Sequence, residues 1–418
     1  MTTPSTSKRE LVLLEAANIL GGVCNAVVMV VIPWLILERT DSPGAAGLAA
    51  AVSAIPGILI APVVGVLVDR IGRKAVSVVS DLFSGVSVLL FPVLDAFGVL
   101  GYGAILALTV LGAAFDPAGY TARKALIPNV SAASGVPRDQ LNGLHEGLFA
   151  GGWVVGPMVG ALGIATVGSV ATMWFAFAAF VLASAAVLAM RVPNRAPLSD
   201  DALVEASPWH AARAGVGALL RDKPLWVLTI AVTVIWMIYA PTESVLLPVH
   251  FEGADEPEAF GIVLSAMSVG AMAGAFGYGW IARRTTRHGL VRGSILLAAL
   301  AYVPVALLPA PVVMVVPALL LGLAWGPMEP LLNSLVQDRF PEHQHGRIYG
   351  VQLGLFYAAP PLGQLLAGGG VEWLGVDPVF LVIAGLLVVL ALGISALPVL
   401  RGLDDPSPAA PAAPLRPT

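Results

Sequence analysis

Charge is what this chain has least of: 11% of its 418 residues are Asp, Glu, Lys or Arg, against about 25% in an ordinary soluble domain. With 57% hydrophobic residues and a mean hydropathy of +0.87, a water-soluble fold is excluded, because so few polar groups cannot cover an aqueous surface. Cysteine is rarer still. The single Cys24 lies inside an apolar run, which excludes an intrachain disulfide and any Cys-rich metal centre. Histidine gives no metal site either: His210, His250, His288, His343 and His345 fall in predicted loops and His145 at the edge of a span. There is no His-Glu-x-x-His and no Gly-Lys pair, so zinc hydrolysis and a Walker phosphate loop are excluded. No cofactor is implied, and the net charge of -4 gives no reason to expect nucleic acid.

What remains is long apolar runs. A bilayer core takes about 20 apolar residues as helix, and runs of that length recur from Leu11 to Leu400. Backbone groups in hydrocarbon must bond internally, which leaves helices or a closed barrel, and unbroken runs exclude the alternation of barrel strands. Charged and Pro/Gly breaks place spans at 11–37, 45–68, 75–95, 101–121, 142–166 and 171–190, then at 224–247, 260–281, 291–309, 312–334, 347–370 and 379–400. The first run is too long for the core of a cleaved signal, so it is expected to stay. The expected fold is therefore an all-α membrane protein of twelve transmembrane helices in two pseudo-symmetric six-helix bundles. Residues 1–190 form the first bundle and 224–400 the second. The polar stretch 191–223 is read as a linker with a short amphipathic helix from Trp209 to Leu220, and the Pro/Ala-rich 401–418 as a disordered tail.

Basic residues orient the spans. With both termini in the cytoplasm, 21 of the 22 Lys and Arg fall on that side and only Arg39 outside, as the positive-inside rule requires. A missing helix would invert every later loop. The composition suggests a bacterial protein of the cytoplasmic membrane. The halves also echo one another: Gly143, Gly147, Gly151, Pro157 and Gly160 recur 203 positions later as Gly346, Gly350, Gly354, Pro360 and Gly363. Leu111, Gly112, Ala114 and Pro117 recur 210 positions later as Leu321, Gly322, Ala324 and Pro327. Internal repeats of this kind build transporters that rock one bundle against the other.

Two stretches carry more than hydropathy. Gly65-Val66-Leu67-Val68-Asp69-Arg70-Ile71-Gly72-Arg73-Lys74 follows span 2: Gly65 permits close helix approach, Asp69 suits the positive end of a neighbouring helix, and Gly72 allows a tight turn. In span 5, Gly152, Gly156 and Gly160 give one face of small residues, and Pro157 removes a backbone bond. The first stretch resembles the loop 2-3 signature of the major facilitator superfamily, and the second its antiporter signature, with Ala161 in place of the last glycine. Pro33-Trp34-Leu35, Thr121-Ala122-Arg123, Leu141-Asn142-Gly143, Thr172-Met173-Trp174 and Glu243-Ser244-Val245-Leu246-Leu247-Pro248 resemble the drug/proton antiporter branch that holds macrolide exporters and Tap-type multidrug pumps. The resemblance implies that Asp69, Arg70 and Arg73 control opening toward the cytoplasm, and that spans 1, 4, 7 and 10 line a central cavity. Two departures bear on its proton path: Asn25 stands where Tap-type pumps tend to carry an acid, and the span-4 arginine of another drug-antiporter branch is absent.

Six carboxylates fall within the spans, Glu15, Asp81, Asp116, Glu146, Glu243 and Glu329, and are read as unmatched by lysine or arginine. Ionised mid-bilayer, each costs about 2.5–3.5 kcal/mol, so such groups mark a pathway, here for protons or cations. Asp81, two turns beyond Lys74, is read as part of the gate's ion pairs. Glu146 opens span 5, where a helix N-terminus alone would also hold an anion, and Asp116 precedes Pro117 and can bond a freed backbone group. With spans 1, 4, 7 and 10 lining the cavity, as the resemblance implies, Glu15, Glu243 and Glu329 are the leading site residues. Trp236 and Tyr239 stand seven and four residues before Glu243, on one helical face, an aromatic wall suited to an organic cation. Trp325, Glu329 and Asn333 repeat the spacing in span 10. The expected function is proton-coupled export of amphipathic drugs or natural products, cationic or neutral, by a protein acting as a monomer. A dedicated siderophore, lipid or self-made-antibiotic exporter is the alternative within transport, and a membrane enzyme or sensor the alternative outside it.

Overall fold

A computed structural model describes residues 8–192, 208–340 and 342–405, and every regular element in them is helical. The first set comprises α1 (Lys8–Thr40), α2 (Pro43–Ile71), α3 (Arg73–Ala96), α4 (Tyr102–Ser134), α5 (Arg138–Val167) and α6 (Ser169–Ala189), followed by the short α7 (Pro208–Arg221). In the second set α8 (Lys223–Tyr239) passes through a π-helical turn (Thr242–Leu246) into α9 (Leu247–Gly253). Next come α10 (Pro257–Ala282) and α11 (Arg287–Ala306), then α12 (Pro311–Trp325) leading into α13 (Met328–Arg339). Finally α14 (Glu342–Ala358) leads into α15 (Pro360–Leu374), and α16 (Val376–Ser395) precedes a 3-10 turn (Pro398–Leu403). Pro241, Pro327 and Pro360 stand at the three breaks, each lacking the N–H that would carry the helix through. Taken as continuous passes, the broken helices give the twelve that hydropathy predicts. Ten are long and apolar enough over their described residues to cross a bilayer; α2 and the α14–α15 pair complete the set.

The sequence repeat has a counterpart in packing. Gly160 of α5 lies against Val27 and Val30 of α1, and its echo Gly363 of α15 lies against Met237 of α8. Between the sets, α5 packs on α10 and α2 on α15. Gly261 of α10 faces Pro157 and Ala161, and Gly47 of α2 faces Gly368, so backbones meet where any side chain would hold them apart. Both contacts lie at the end of the molecule away from α7, called here the far end. Ser42 and the Gly44 N–H (3.1 Å) reinforce that closure by donating to Glu372 of α15.

At the opposite end, Arg339 ties three segments together. Its Nε donates to Asp222 Oδ2 at 2.5 Å, and its Nη1 donates to the Gly402 and Asp405 carbonyls at 3.2 Å each. Asp222 in turn caps α8 by accepting from the Leu225 N–H at 3.1 Å. The chain is thereby held as far as Asp405, which corrects the expectation of disorder from 401 onward; 406–418 lie outside the described residues.

Candidate substrate cavity and proton-binding groups

A cavity of about 1220 Å³ lies between the two sets of helices, large enough for a drug-sized ligand (roughly 300–1,000 Å³ is usual). Its wall draws on α1 (Asn25), α4 (Asp116), α8 (Trp236), the π turn (Glu243) and α12–α13 (Trp325, Glu329, Asn333), the four passes that the sequence resemblance implied. Toward α7 it reaches Lys124 and Gln337, and there Lys124 and Glu146 are about half exposed, at 50% and 47%. At the far end the glycine contacts and Glu372 shut it. Among the described residues the cavity is thus shut at the far end and open toward α7.

The π turn explains how Glu243 comes to face this space. Its wider i→i+5 bonding adds a residue to the helix, a distortion frequent at functional sites, and both Glu243 and Ser244 then line the cavity. Thr242 Oγ1, 2.7 Å from the Tyr302 hydroxyl, pins the turn from behind. Trp236 and Trp325 stack with centroids 5.9 Å apart and planes at 15°. Tyr239 corrects the sequence reading: it lines a cleft behind these rings with Ile235, Ile295 and Leu321 rather than the cavity itself. Its centroid is 5.7 Å from Trp236 and 6.4 Å from Trp325, and its hydroxyl donates to Glu243 Oε1 at 2.6 Å. Tyr239 therefore positions the carboxylate. Asn25 Oδ1 and Gln364 Oε1 are buried without a hydrogen-bond partner, and both residues line the cavity, leaving two acceptors for a ligand's donors.

The six carboxylates divide into two groups. Asp116, Glu243 and Glu329 line the cavity, and none forms an ion pair among the described residues; Asp116 accepts from Ser84 Oγ at 2.9 Å. The other three have partners, a cation for Asp81 and for Glu146 and a histidine for Glu15, which corrects the expectation of acids unmatched by lysine or arginine. Arg123 Nη1 lies 2.7 and 2.9 Å from the two oxygens of Asp81, with both side chains under 5% exposed. The gate pairing expected of Asp81 is thus real, but its partner is outside the motif. Hydropathy ends span 4 at 121, whereas α4 runs on to Ser134 and carries Arg123 into the protein, where Asp81 receives it. Glu146 meets Lys124 Nζ at 2.5 Å and the Tyr120 hydroxyl at 2.7 Å, beside the cavity mouth rather than in its wall. Glu15 is also outside the cavity, turned toward His145 of α5, whose Nδ1 is 3.2 Å away.

His145 is the residue that sequence reasoning passed over. Its position seven residues before Gly152 was the available signal, since two helical turns put both on one face. The antiporter-signature glycines do what their spacing suggests: Gly152 meets Gly22, Gly156 meets Val23 and Ala26, and Gly160 meets Val27, all on α1. Of the loop signature, Gly72 takes a φ of 107° between α2 and α3, a region natural only to glycine. Arg73 Nη1 donates to Asn129 Oδ1 at 2.7 Å, and Lys74 Nζ to the Met190 carbonyl at 2.5 Å. Gly65, Asp69 and Arg70 fall within α2, where the side chains of 60–70 lie outside what the structure describes.

The profile of the Major Facilitator Superfamily matches residues 15–359. The chain belongs to that superfamily. It is 35% identical over 409 residues to the multidrug efflux pump Tap of Mycolicibacterium fortuitum, covering 96% of this chain and 98% of the relative. Macrolide efflux protein A of Streptococcus pyogenes is 22% identical over 412 residues, 95% of this chain and 98% of that one. The crystal structure of the nucleoside transporter NupG superposes with a TM-score of 0.78 at 14% identity, over 93% of this chain and 99% of that one, which shows the fold alone. As a member of the superfamily the chain is a multi-pass membrane transporter, in agreement with the superfamily resemblance read from sequence.

Proposed function

We propose that this transporter exports amphipathic drugs or natural products, cationic or neutral, in exchange for protons. The observation that carries the reading is the one-ended cavity in which the Trp236–Trp325 stack stands beside Glu243. Stacked indoles hold planar apolar molecules and attract a cation through their faces, while Glu243 and Glu329 supply negative charge that a proton can replace. The likeness to pumps named for multidrug and macrolide efflux supports the same substrate class. In this reading residues 1–190 and 224–400 are the two rocking halves, 191–223 joins them, and both termini face the cytoplasm of a bacterial cell. The open end is then cytoplasmic, and substrate enters from the cytoplasm or inner leaflet. Protons arriving at the carboxylates from outside release the cargo and reset the cycle.

Purified protein reconstituted in liposomes tests this with the fluorescent cation ethidium. An acid-inside gradient is expected to drive ethidium into vesicles whose proteins face cytoplasmic side out, and dissipating the gradient with nigericin should abolish the accumulation. Equal ethidium content with and without the gradient would contradict proton coupling. No movement of ethidium or of other amphipathic cations would favour a dedicated exporter instead.

A further inference from the structure

Glu15 and His145 lie outside the cavity, on a seam built for close approach. α1 and α5 run parallel, and their contacts Gly22–Gly152, Ala26–Gly156 and Val30–Gly160 keep one register. Glu15 and His145, 130 positions apart, continue that register two turns nearer to α7. At this rung His145 is fully buried and Glu15 is 6% exposed, beneath an apolar shell that includes Leu14, Leu126 and Leu141. Asn18 Nδ2 donates to Glu15 Oε2 at 3.3 Å and to the His145 carbonyl at 2.6 Å. His145 Nε2 and Asn18 Oδ1 have no hydrogen-bond partner.

That geometry suits a single exchangeable proton. With Glu15 ionised, His145 donates Nδ1–H to it, which leaves the Nε2 lone pair buried and open. A proton added at Nε2 gives imidazolium beside carboxylate, neutral as a pair; its loss restores the neutral ring. No other bond changes. The neighbouring charges are spoken for: on α4, Arg123 is held by Asp81 and Lys124 by Glu146. Tyr120, whose ring centroid is 6.3 Å from that of His145, donates its hydroxyl to Glu146. On α1 itself, Arg9 pairs with Glu10 a helical turn or more away, and α6 has no ionisable side chain. Glu146, next in the chain to His145, is half exposed at the open end, so solvent stands one residue from the couple.

We infer that Glu15 and His145 form a second proton-binding couple, separate from the drug cavity, so that one proton of the transport cycle binds at groups the substrate does not touch. The inference rests on the proton-coupled reading above. In liposomes, Glu15→Gln and His145→Gln are each expected to cut gradient-driven ethidium accumulation at least tenfold. Ethidium binding, followed by tryptophan quenching, and ethidium–ethidium exchange without a gradient should stay within twofold of wild type. Whichever variant elutes as a monodisperse peak is read. Gradient-driven accumulation within twofold of an active wild type would overturn the couple alone, as would a parallel loss of binding and exchange in well-folded protein. A wild type that ignores the gradient would sink the proton-coupled reading itself.

Discussion

Glu243→Gln is expected to weaken binding of organic cations by roughly 10- to 100-fold, the equivalent of about 1.5–3 kcal/mol for a lost charge-assisted contact, while neutral macrocyclic ligands bind nearly as before. The carboxylate is held by the Tyr239 hydroxyl at 2.6 Å, faces the cavity beside Trp236 and Trp325, and has no cation of its own among the described residues. A ligand's charge is therefore its natural counterion, and glutamine keeps the shape while deleting the attraction. Titration of ethidium and of a neutral macrolide against tryptophan fluorescence separates the two cases. Equal losses for both would mean that the substitution disturbs the π turn rather than the charge. Adding Glu329→Gln should deepen the loss for cations, since both acids line the same space, and unchanged ethidium flux in that double variant would remove these residues from the coupling site.

Arg123→Met should be the most damaging single change in the first half. It strands Asp81 at 3% exposure, and leaving one member of a buried pair uncompensated costs about 3–5 kcal/mol. Gly21 of α1 leaves space for the guanidinium, since a Cβ there would fall 2.7 Å from Nη2. Asp81→Asn should be milder than Arg123→Met, because the asparagine carbonyl still accepts from the guanidinium, and the double variant Asp81→Leu/Arg123→Met should recover most of the lost stability, since no buried charge remains. Thermal unfolding in detergent would check the order: lowest apparent Tm for Arg123→Met, near wild type for the double. Additive losses in the double would show that the pair contributes through something other than mutual neutralisation.

Much of this was legible in the sequence because lipid imposes simple rules. Length and hydropathy fixed the number of passes, the Pro and Gly echoes placed equivalent contacts such as Gly160 on α1 and Gly363 on α8, and helical phase set Trp236 near Glu243. Pairing between helices was not legible. Whether Asp81 finds Arg123, or Glu15 finds His145, depends on the rotation and end point of helices that share no local pattern, and a span drawn to stop at the first basic residue hides a cation that the folded protein shelters. The π turn was hidden for a related reason: no local pattern announces an added residue, nor that Tyr239, still in step with Glu243, stands behind the cavity wall and holds the carboxylate from there.

If organic cargo is carried between the halves, a cryo-electron microscopy structure of the full chain with ethidium will show it inside. The planar ring system is expected against Trp325 or Trp236, within about 6 Å of an indole centroid, with its charge turned to Glu243. Ethidium resting on the lipid-facing surface, with the cavity filled only by water, would contradict it.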